Sequence, residues 1–372
     1  MSRLKIAVIG AGHLGRIHAR LLAQIPEIDL VAVAEPSEAA QQLIKEQSDV
    51  ELIGDYRELI GRIDAAVIAT PTRTHYDIAS NLLESGIHVL CEKPLTDSVS
   101  DAKLLVAAAR RNGVVVAVGH CERFNASIRA AAEQVGQPKF IQCARMSAYT
   151  YRSTDIGVVH DLMIHDIDLV NSLFPGEVID TRANGLSVFS GREDIAQARI
   201  QFSCGGVANL TASRASFKPE RSIQIFGTDG FASVDLANHQ VDFVRVPSWI
   251  KNREVNFAAA TPEQVEFVKE NLFTQILPRQ QTEVEPVNAI LCEQQDWIEA
   301  IRFGGEPRVN VEAGSQAVAI AQSVLDSLAV HNWGTSQPGM TGPYATPLSH
   351  GFSGDPLPEQ MSGMQLAFRK AG

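Results

Sequence analysis

Three groups of residues carry chemistry by type and spacing. Gly10, Gly12 and Gly15 form a Gly-x-Gly-x-x-Gly run between an apolar stretch, residues 5–9, and a segment with Leu14, Ile17, Leu21, Leu22 and Ile25 at helical spacing. In such a strand–turn–helix, Gly10 allows the tight turn, Gly12 the close approach of backbone to a pyrophosphate, and Gly15 close packing of helix on strand. The phosphates, flanked by His13 and Leu14, sit at the helix N-terminus, where unpaired N–H groups and the helix dipole favour anions. A second apolar run, 30–34, ends at Glu35. An acid about 20 residues beyond the last glycine binds the adenosine ribose hydroxyls and disfavours a 2′-phosphate, so NAD is expected rather than NADP. The second group is Glu92-Lys93-Pro94, at the carboxyl end of another apolar run. The third is Asp161, His165 and Asp168, spaced four and three apart on one helical face, where a carboxylate can orient an imidazole for acid–base work. A solvated polar face or a structural histidine reads equally from that third pattern.

These residues need elements to position them. Runs at 4–9, 30–34, 64–69, 87–91 and 114–118 read as strands, and 13–25, 37–47, 74–85 and 98–112 as helices, the alternation of a doubly wound parallel sheet. Ligands in such sheets lie beyond the carboxyl ends of the strands. Thr70-Pro71-Thr72 and Glu92-Lys93-Pro94 are therefore expected to line the cofactor crevice. After residue 123 the pattern changes to closely spaced strands near 139–149, 178–188, 196–203, 206–213, 221–226, 231–236 and 240–246, a mostly antiparallel sheet. Helices follow at about 262–276, 286–303 and 312–330. The expected fold is α/β: an N-terminal Rossmann domain (1–122), a C-terminal α+β domain with a large open sheet (123–331), and a Gly- and Pro-rich tail (332–372) that is disordered or docked.

The global numbers exclude other classes. With 372 residues, 45% hydrophobic and 20% charged, the chain has the composition of a two-domain soluble protein. A net charge of −11 argues against a nucleic-acid surface. No run is long enough to span a bilayer and no targeting segment is evident, so the cytoplasm is the expected location. The five cysteines are odd in number and never in a Cys-x-x-Cys pair, which indicates neither a disulfide framework nor a cysteine zinc site. No spacing supports any other metal.

Four ordered markers resemble the Gfo/Idh/MocA family: Gly10-Ala11-Gly12-His13-Leu14-Gly15, Ala69-Thr70-Pro71-Thr72 with His75, Glu92-Lys93-Pro94, and Asp161-x-x-x-His165 with Asp168. The resemblance covers about residues 3–330. It implies an active site between the domains, a subunit interface on the open sheet giving a homodimer or homotetramer, and a Lys93–Pro94 bond that is commonly cis. It also implies that Lys93 hydrogen-bonds the reacting hydroxyl, that His165 acts as acid or base, and that Asp161 supports substrate or histidine. Elementary chemistry asks for the same parts, since hydride removal from a carbinol needs a proton acceptor and a cation at one oxygen. Residues 118–125 and 157–168 are similar to the branch that oxidises nucleotide-linked amino sugars, in which Arg123 and Asn125 lie near the substrate. His160 and Met163 depart from that branch, which carries an aliphatic residue and a small one there. The expected reaction is hydride transfer from a secondary hydroxyl, C3 of a UDP-linked N-acetylhexosamine, to NAD. The alternatives are a free-sugar or myo-inositol dehydrogenase, an NAD-dependent glycosidase, and a non-catalytic NAD-binding regulator.

Overall fold

The computed structural model describes residues 2–46, 49–150, 156–189, 192–333 and 342–343. The first sheet is built from β1 (Leu4–Ile9), β2 (Ile28–Ala34), β3 (Glu51–Ile53), β4 (Ala65–Ile68), β5 (His88–Glu92) and β6 (Val116–Gly119). Its order is β3-β2-β1-β4-β5-β6, with every pairing parallel. All residues of β4 and β6 are buried, as expected of parallel strands covered on both faces. Helices α1 (His13–Leu22), α2 (Glu38–Lys45), α3 (His75–Glu84) and α4 (Val99–Asn112) supply that cover. Local signals set their limits: Ser98 Oγ accepts the Asp101 amide at the start of α4, and Gly113, at φ +62°, ends it.

The second sheet packs against α5 (Ala126–Gln134) and α6 (Ile164–Leu173), the latter entered through a π-helical turn, Val159–Met163. Its strands are β7 (Pro138–Met146), β8 (Val178–Leu186), β9 (Ile195–Phe202), β10 (Val207–Ser213), β11 (Glu220–Gly227), β12 (Gly230–Asp235), β13 (Gln240–Arg245) and, after α7 (Ser248–Lys251) and α8 (Pro262–Glu270), β14 (Arg279–Glu283). The order is β14-β13-β12-β11-β7-β10-β9-β8, antiparallel except between β7 and β10.

The last two helices, α9 (Ala289–Phe303) and α10 (Val311–Ala329), return to the first sheet. Trp297 and Ile298 of α9 pack with Ile6, Val8 and Leu90 on one face. Val311 and Val318 of α10 join the core on the other face, and Ala317, Ala321 and Val324 of the same helix enter the core of the second sheet.

The elements differ from the sequence expectation in five places. Strands β3 and β14 and helices α5 and α7 are additional, because a three-residue strand, a wholly polar five-residue strand, an alanine-rich helix and a four-residue helix carry little periodic signal. The helix expected over 262–276 ends at Glu270 and gives way to a π turn, Leu272–Ile276. Most of 332–372 lies outside the described residues. Gly342 and Pro343 are docked, Gly342 N–H donating to His331 O at 2.9 Å and Pro343 O accepting from Ser187 N–H at 3.1 Å.

Candidate active site

The glycine turn is shaped for a dinucleotide. Gly10 has φ +98°, and a Cβ there would stand 2.6 Å from Ala69 O; a Cβ on Gly15 would stand 2.0 Å from Gly10 O. Gly12, by contrast, faces open space. It is the N-cap of α1 and offers no side-chain cap, and the first turn holds no acid, so the helix N-terminus is open to an anion. Glu35 stands at the end of β2, Oε2 accepting from Ala11 N–H at 2.8 Å and Oε1 from Ser37 N–H at 3.0 Å. A cavity of about 870 Å³ runs from Glu35 past Gly12, His13 and Leu14 to Thr70 and Pro71. These residues fit NAD: the helix end would hold the pyrophosphate and Glu35 the ribose. Glu35→Ala is expected to weaken NAD binding about tenfold, the worth of one charged hydrogen bond, and to narrow the preference over NADP; titrating both cofactors by fluorescence checks it.

A small chamber of about 130 Å³ lies at the strand ends, lined by Leu14, Thr70, Pro71, Thr72, Glu92 and Lys93. It shares Leu14, Thr70 and Pro71 with the cofactor cavity. Thr72 and Ile156 are common to the chamber and to a third cavity, of about 600 Å³, whose wall includes Arg73, Asp97, His160, Arg192 and Gln322. The two large cavities share Arg73, and the chamber that holds Lys93 borders both at this junction.

Lys93 Nζ donates to Asp161 O at 2.7 Å and lies 3.4 Å from Asp161 Oδ1, with 14% and 21% of the two side chains exposed. The Lys93–Pro94 bond is cis. Glu92 is engaged beneath it: Oε1 meets His18 Nε2 at 2.9 Å, and Oε2 accepts the Lys93 amide at 3.1 Å. His18 Nδ1 accepts in turn from Gln294 Nε2 at 2.8 Å, which ties α1 and β5 to α9. His75 is buried, Nδ1 lying 2.8 Å from Pro94 O and Nε2 2.9 Å from Thr70 O. It staples the two crevice turns together.

His165 is partly exposed, while its Nδ1 is enclosed. Burial, then the nearby Lys93 and Arg145 cations, hold its imidazole well below the usual range, so it is neutral and able to take a proton. Asp166 and Glu122 clasp Arg145 from two sides, with Arg145 Nη2 2.8 Å from Asp166 Oδ1 and Nη1 2.9 Å from Glu122 Oε1. The face expected to carry Asp161, His165 and Asp168 together divides: the π turn delivers Asp161 to Lys93, whereas Asp168 is buried near Arg123. Arg123 donates to Asp168 O and Arg308 O, and Asn125 caps α5 through Ser127 N–H while donating to Glu122. These two residues brace the wall behind the junction and do not line the third cavity.

Sequence reasoning missed most of that cavity. Arg73 had a signal, since it follows Thr72 in a strand-end turn. Asp97, Arg192 and Gln322 had none, because topology alone brings them there. His160 was visible only as a departure from relatives; burial and Arg192 bring its imidazole down to about 4, so it too is neutral. Among the described residues no group of three His, Cys, Asp or Glu side chains could hold a metal ion.

Comparison with known proteins places this geometry. Residues 4–120 match the model of an oxidoreductase family with an NAD-binding Rossmann fold, and residues 125–233 match the GFO/IDH/MocA C-terminal domain. The chain belongs to the Gfo/Idh/MocA family. It is 35% identical over 240 residues to a UDP-N-acetylglucosamine 3-dehydrogenase of Acidithiobacillus ferrooxidans, a span of 64% of this chain and 76% of that enzyme. A solved structure of UDP-N-acetylglucosamine 3-dehydrogenase from that organism has a TM-score of 0.75 at 30% identity, over 88% of this chain and 98% of its own. The myo-inositol 2-dehydrogenase of Thermotoga maritima is 25% identical over 344 residues, 87% of this chain and 96% of that one. The WlbA dehydrogenase of Bordetella pertussis, solved with NADH and UDP-GlcNAcA, shares the fold at a TM-score of 0.70 and 20% identity, over 88% and 95% of the two chains. As a Gfo/Idh/MocA protein the chain is an NAD-dependent oxidoreductase, and its first domain is the cofactor domain.

Proposed function

We propose that this enzyme oxidises a secondary hydroxyl of a nucleotide-linked amino sugar, C3 of a UDP-N-acetylhexosamine, with NAD as hydride acceptor. One observation carries the reading: a cavity of about 600 Å³ bearing two arginines meets the cofactor cavity at Arg73 and through the chamber of Lys93. Arg73 and Arg192 suit a pyrophosphate, and the volume is that of a small-molecule site. The similarity to the UDP-N-acetylglucosamine 3-dehydrogenase supports the same substrate class.

NAD, when bound, supplies the electrophilic ring carbon that accepts hydride. The chain's own residues do the rest. Lys93 Nζ donates a charged hydrogen bond to the reacting oxygen and stabilises the alkoxide character that develops there. His165 takes the hydroxyl proton at Nε2, and Asp161 holds Lys93 in place. Arg123 and Asn125 shape the wall at the sugar end. Phe140, Phe226 and Phe231 form a cross-strand ladder on β7, β11 and β12, ring centroids 5.5 and 5.4 Å apart, opposite the core-facing Ile141 and Ile225. This ladder supports assembly of two or four copies through the sheet. Reduced, unpaired cysteines and the lack of any described helix long and apolar enough to cross a membrane support a cytoplasmic enzyme.

The test is absorbance at 340 nm with purified protein, NAD and a panel of UDP-N-acetylglucosamine, its uronate, UDP-glucose, free hexoses and myo-inositol. NADH formed only with the UDP-amino sugars is the expected result. A signal confined to free polyols overturns the substrate; release of an aglycone without NADH, or NAD binding without turnover, overturns the reaction.

A further inference from the structure

A cluster of buried polar atoms lies beside His165. His120 follows β6 and is 1% exposed. Its ring stands edge-on to that of His165, the centroids 6.2 Å apart and the planes at 87°. Both ring nitrogens of His120, Nδ1 of His165 and both carboxylate oxygens of Asp168 are enclosed, and none makes a hydrogen bond within the protein. Asp168 Oδ1 has only an ion pair with Arg123 Nη1 at 3.7 Å; each of the other atoms costs about 1–3 kcal/mol when left without a partner, so the cluster is a poor device for stability. The charged and titratable groups acting on His120 are Asp168 and His165 of α6, Lys93 and Glu92 at the end of β5, and Arg123 of its own turn. Glu293 of α9 faces Asp168.

We propose that His120 is a relay residue which, with Asp168, takes from His165 the proton that oxidation of the substrate releases. The inference rests on the reading of His165 as the base. A proton arriving at His165 Nε2 creates an imidazolium beside two fixed cations, Lys93 and Arg145, in a site that already disfavours the charged ring. Passing the proton inward removes that conflict. The substrate C–H bond breaks with its electron pair leaving as hydride to the cofactor, and the O–H pair becomes the carbonyl π bond. The hydroxyl proton bonds to His165 Nε2 while the Nδ1 proton of the same ring leaves toward His120. A ring separation of 6.2 Å suits one bridging water. His120 then releases a proton to Asp168, a carboxylate whose proton affinity burial has raised. The end state is a neutral acid, with no cation added next to Lys93. His120 and Asp168 act through His165 and touch no substrate, so they are positioning residues.

The variant His120→Gln keeps a polar side chain of similar size and cannot carry a proton. It is expected to lower kcat about a hundredfold at pH 7, with KM and NAD affinity within about twofold of wild type. The deficit should narrow as pH rises, because solvent base then strips His165 directly. His120→Phe should show the same loss and the same profile. Full turnover by His120→Gln beside a crippled His120→Phe, or a loss confined to KM, indicates a structural role and overturns the relay. His165→Asn separates the two readings: if it is inactive while His120→Gln is not, the base assignment stands and the relay falls; if it retains full turnover, both fall. Independently of any substrate, ¹⁵N spectra of histidine-labelled protein should show His165 as the Nδ1–H tautomer. The Nε2–H tautomer overturns the proposal, since the ring then has no proton to pass inward.

Discussion

Lys93→Met is expected to reduce kcat by about 10²–10⁴-fold while leaving the NAD dissociation constant within about threefold of wild type. The ammonium sits where the two large cavities meet and is held by both the carbonyl and the carboxylate of Asp161. A charged donor in that position strengthens its bond to the substrate oxygen as negative charge develops, so its loss falls on the transition state. The cavity suited to the cofactor is lined instead by the α1 terminus and Glu35, which predicts the split between kcat and binding. Lys93→Arg is expected to fail as well, because a planar guanidinium cannot keep the two contacts to Asp161 and also reach the chamber. Initial rates together with fluorescence titration of NAD read both quantities. Normal turnover by either variant removes Lys93 from the mechanism.

Arg145→Met is expected to lower the free energy of unfolding by about 3–5 kcal/mol, the effect of breaking a buried ion pair from one side. Arg145 is 2% exposed and serves two buried acids, Asp166 and Glu122. The loss has a pH signature whose sign follows from Asp166. Burial already raises its carboxyl above the ordinary value, and Arg145 opposes that rise. Without the guanidinium the folded-state value climbs further above the unfolded one. A group raised in this way contributes its stability below the unfolded value, near pH 4, and loses it as pH rises toward the folded value. The deficit of the variant should therefore be smallest near pH 4, where the acid is protonated in both proteins, grow at higher pH by at most about 1.4 kcal/mol per unit, and level off once pH passes the variant's folded-state value. Denaturant titrations at pH 5 and pH 8 decide the point, and an equal deficit at both contradicts the account.

The parts of this enzyme that were legible in its sequence are those whose signal is local. The Gly10–Gly15 turn, Glu35 and the polar strand ends at Thr70 and Lys93 each depend on a strand and its own following residues, and hydrophobic runs mark those strands without ambiguity. The division of Asp161, His165 and Asp168 between two environments was not legible, because the helical spacing assumed for them starts in a π turn. Spacing also could not show that Arg123 and Asn125 are engaged by neighbouring backbone and by Glu122. The Arg145 cluster and the cavity wall at Asp97, Arg192 and Gln322 join residues from separate elements, and only the packed chain brings them together. His120 lies inside residues 118–125, which resemble the amino-sugar branch, yet its meaning depends on a ring 45 residues away in the chain.

The return of α9 has a consequence for how the molecule is made. Trp297, wholly buried, packs against Ile6, Val8 and Leu90, and the buried His18 of α1 is bonded by Gln294. Val118 N–H donates to Val309 O at 3.0 Å beside the last strand of the same sheet. A nascent chain emerges amino terminus first. The nucleotide-binding sheet, though encoded first, keeps an open apolar face until the ribosome has passed residue 300. The second sheet waits as well, because Ala317, Ala321 and Val324 of α10 close its core, so both domains are completed only by the last helices of the polypeptide.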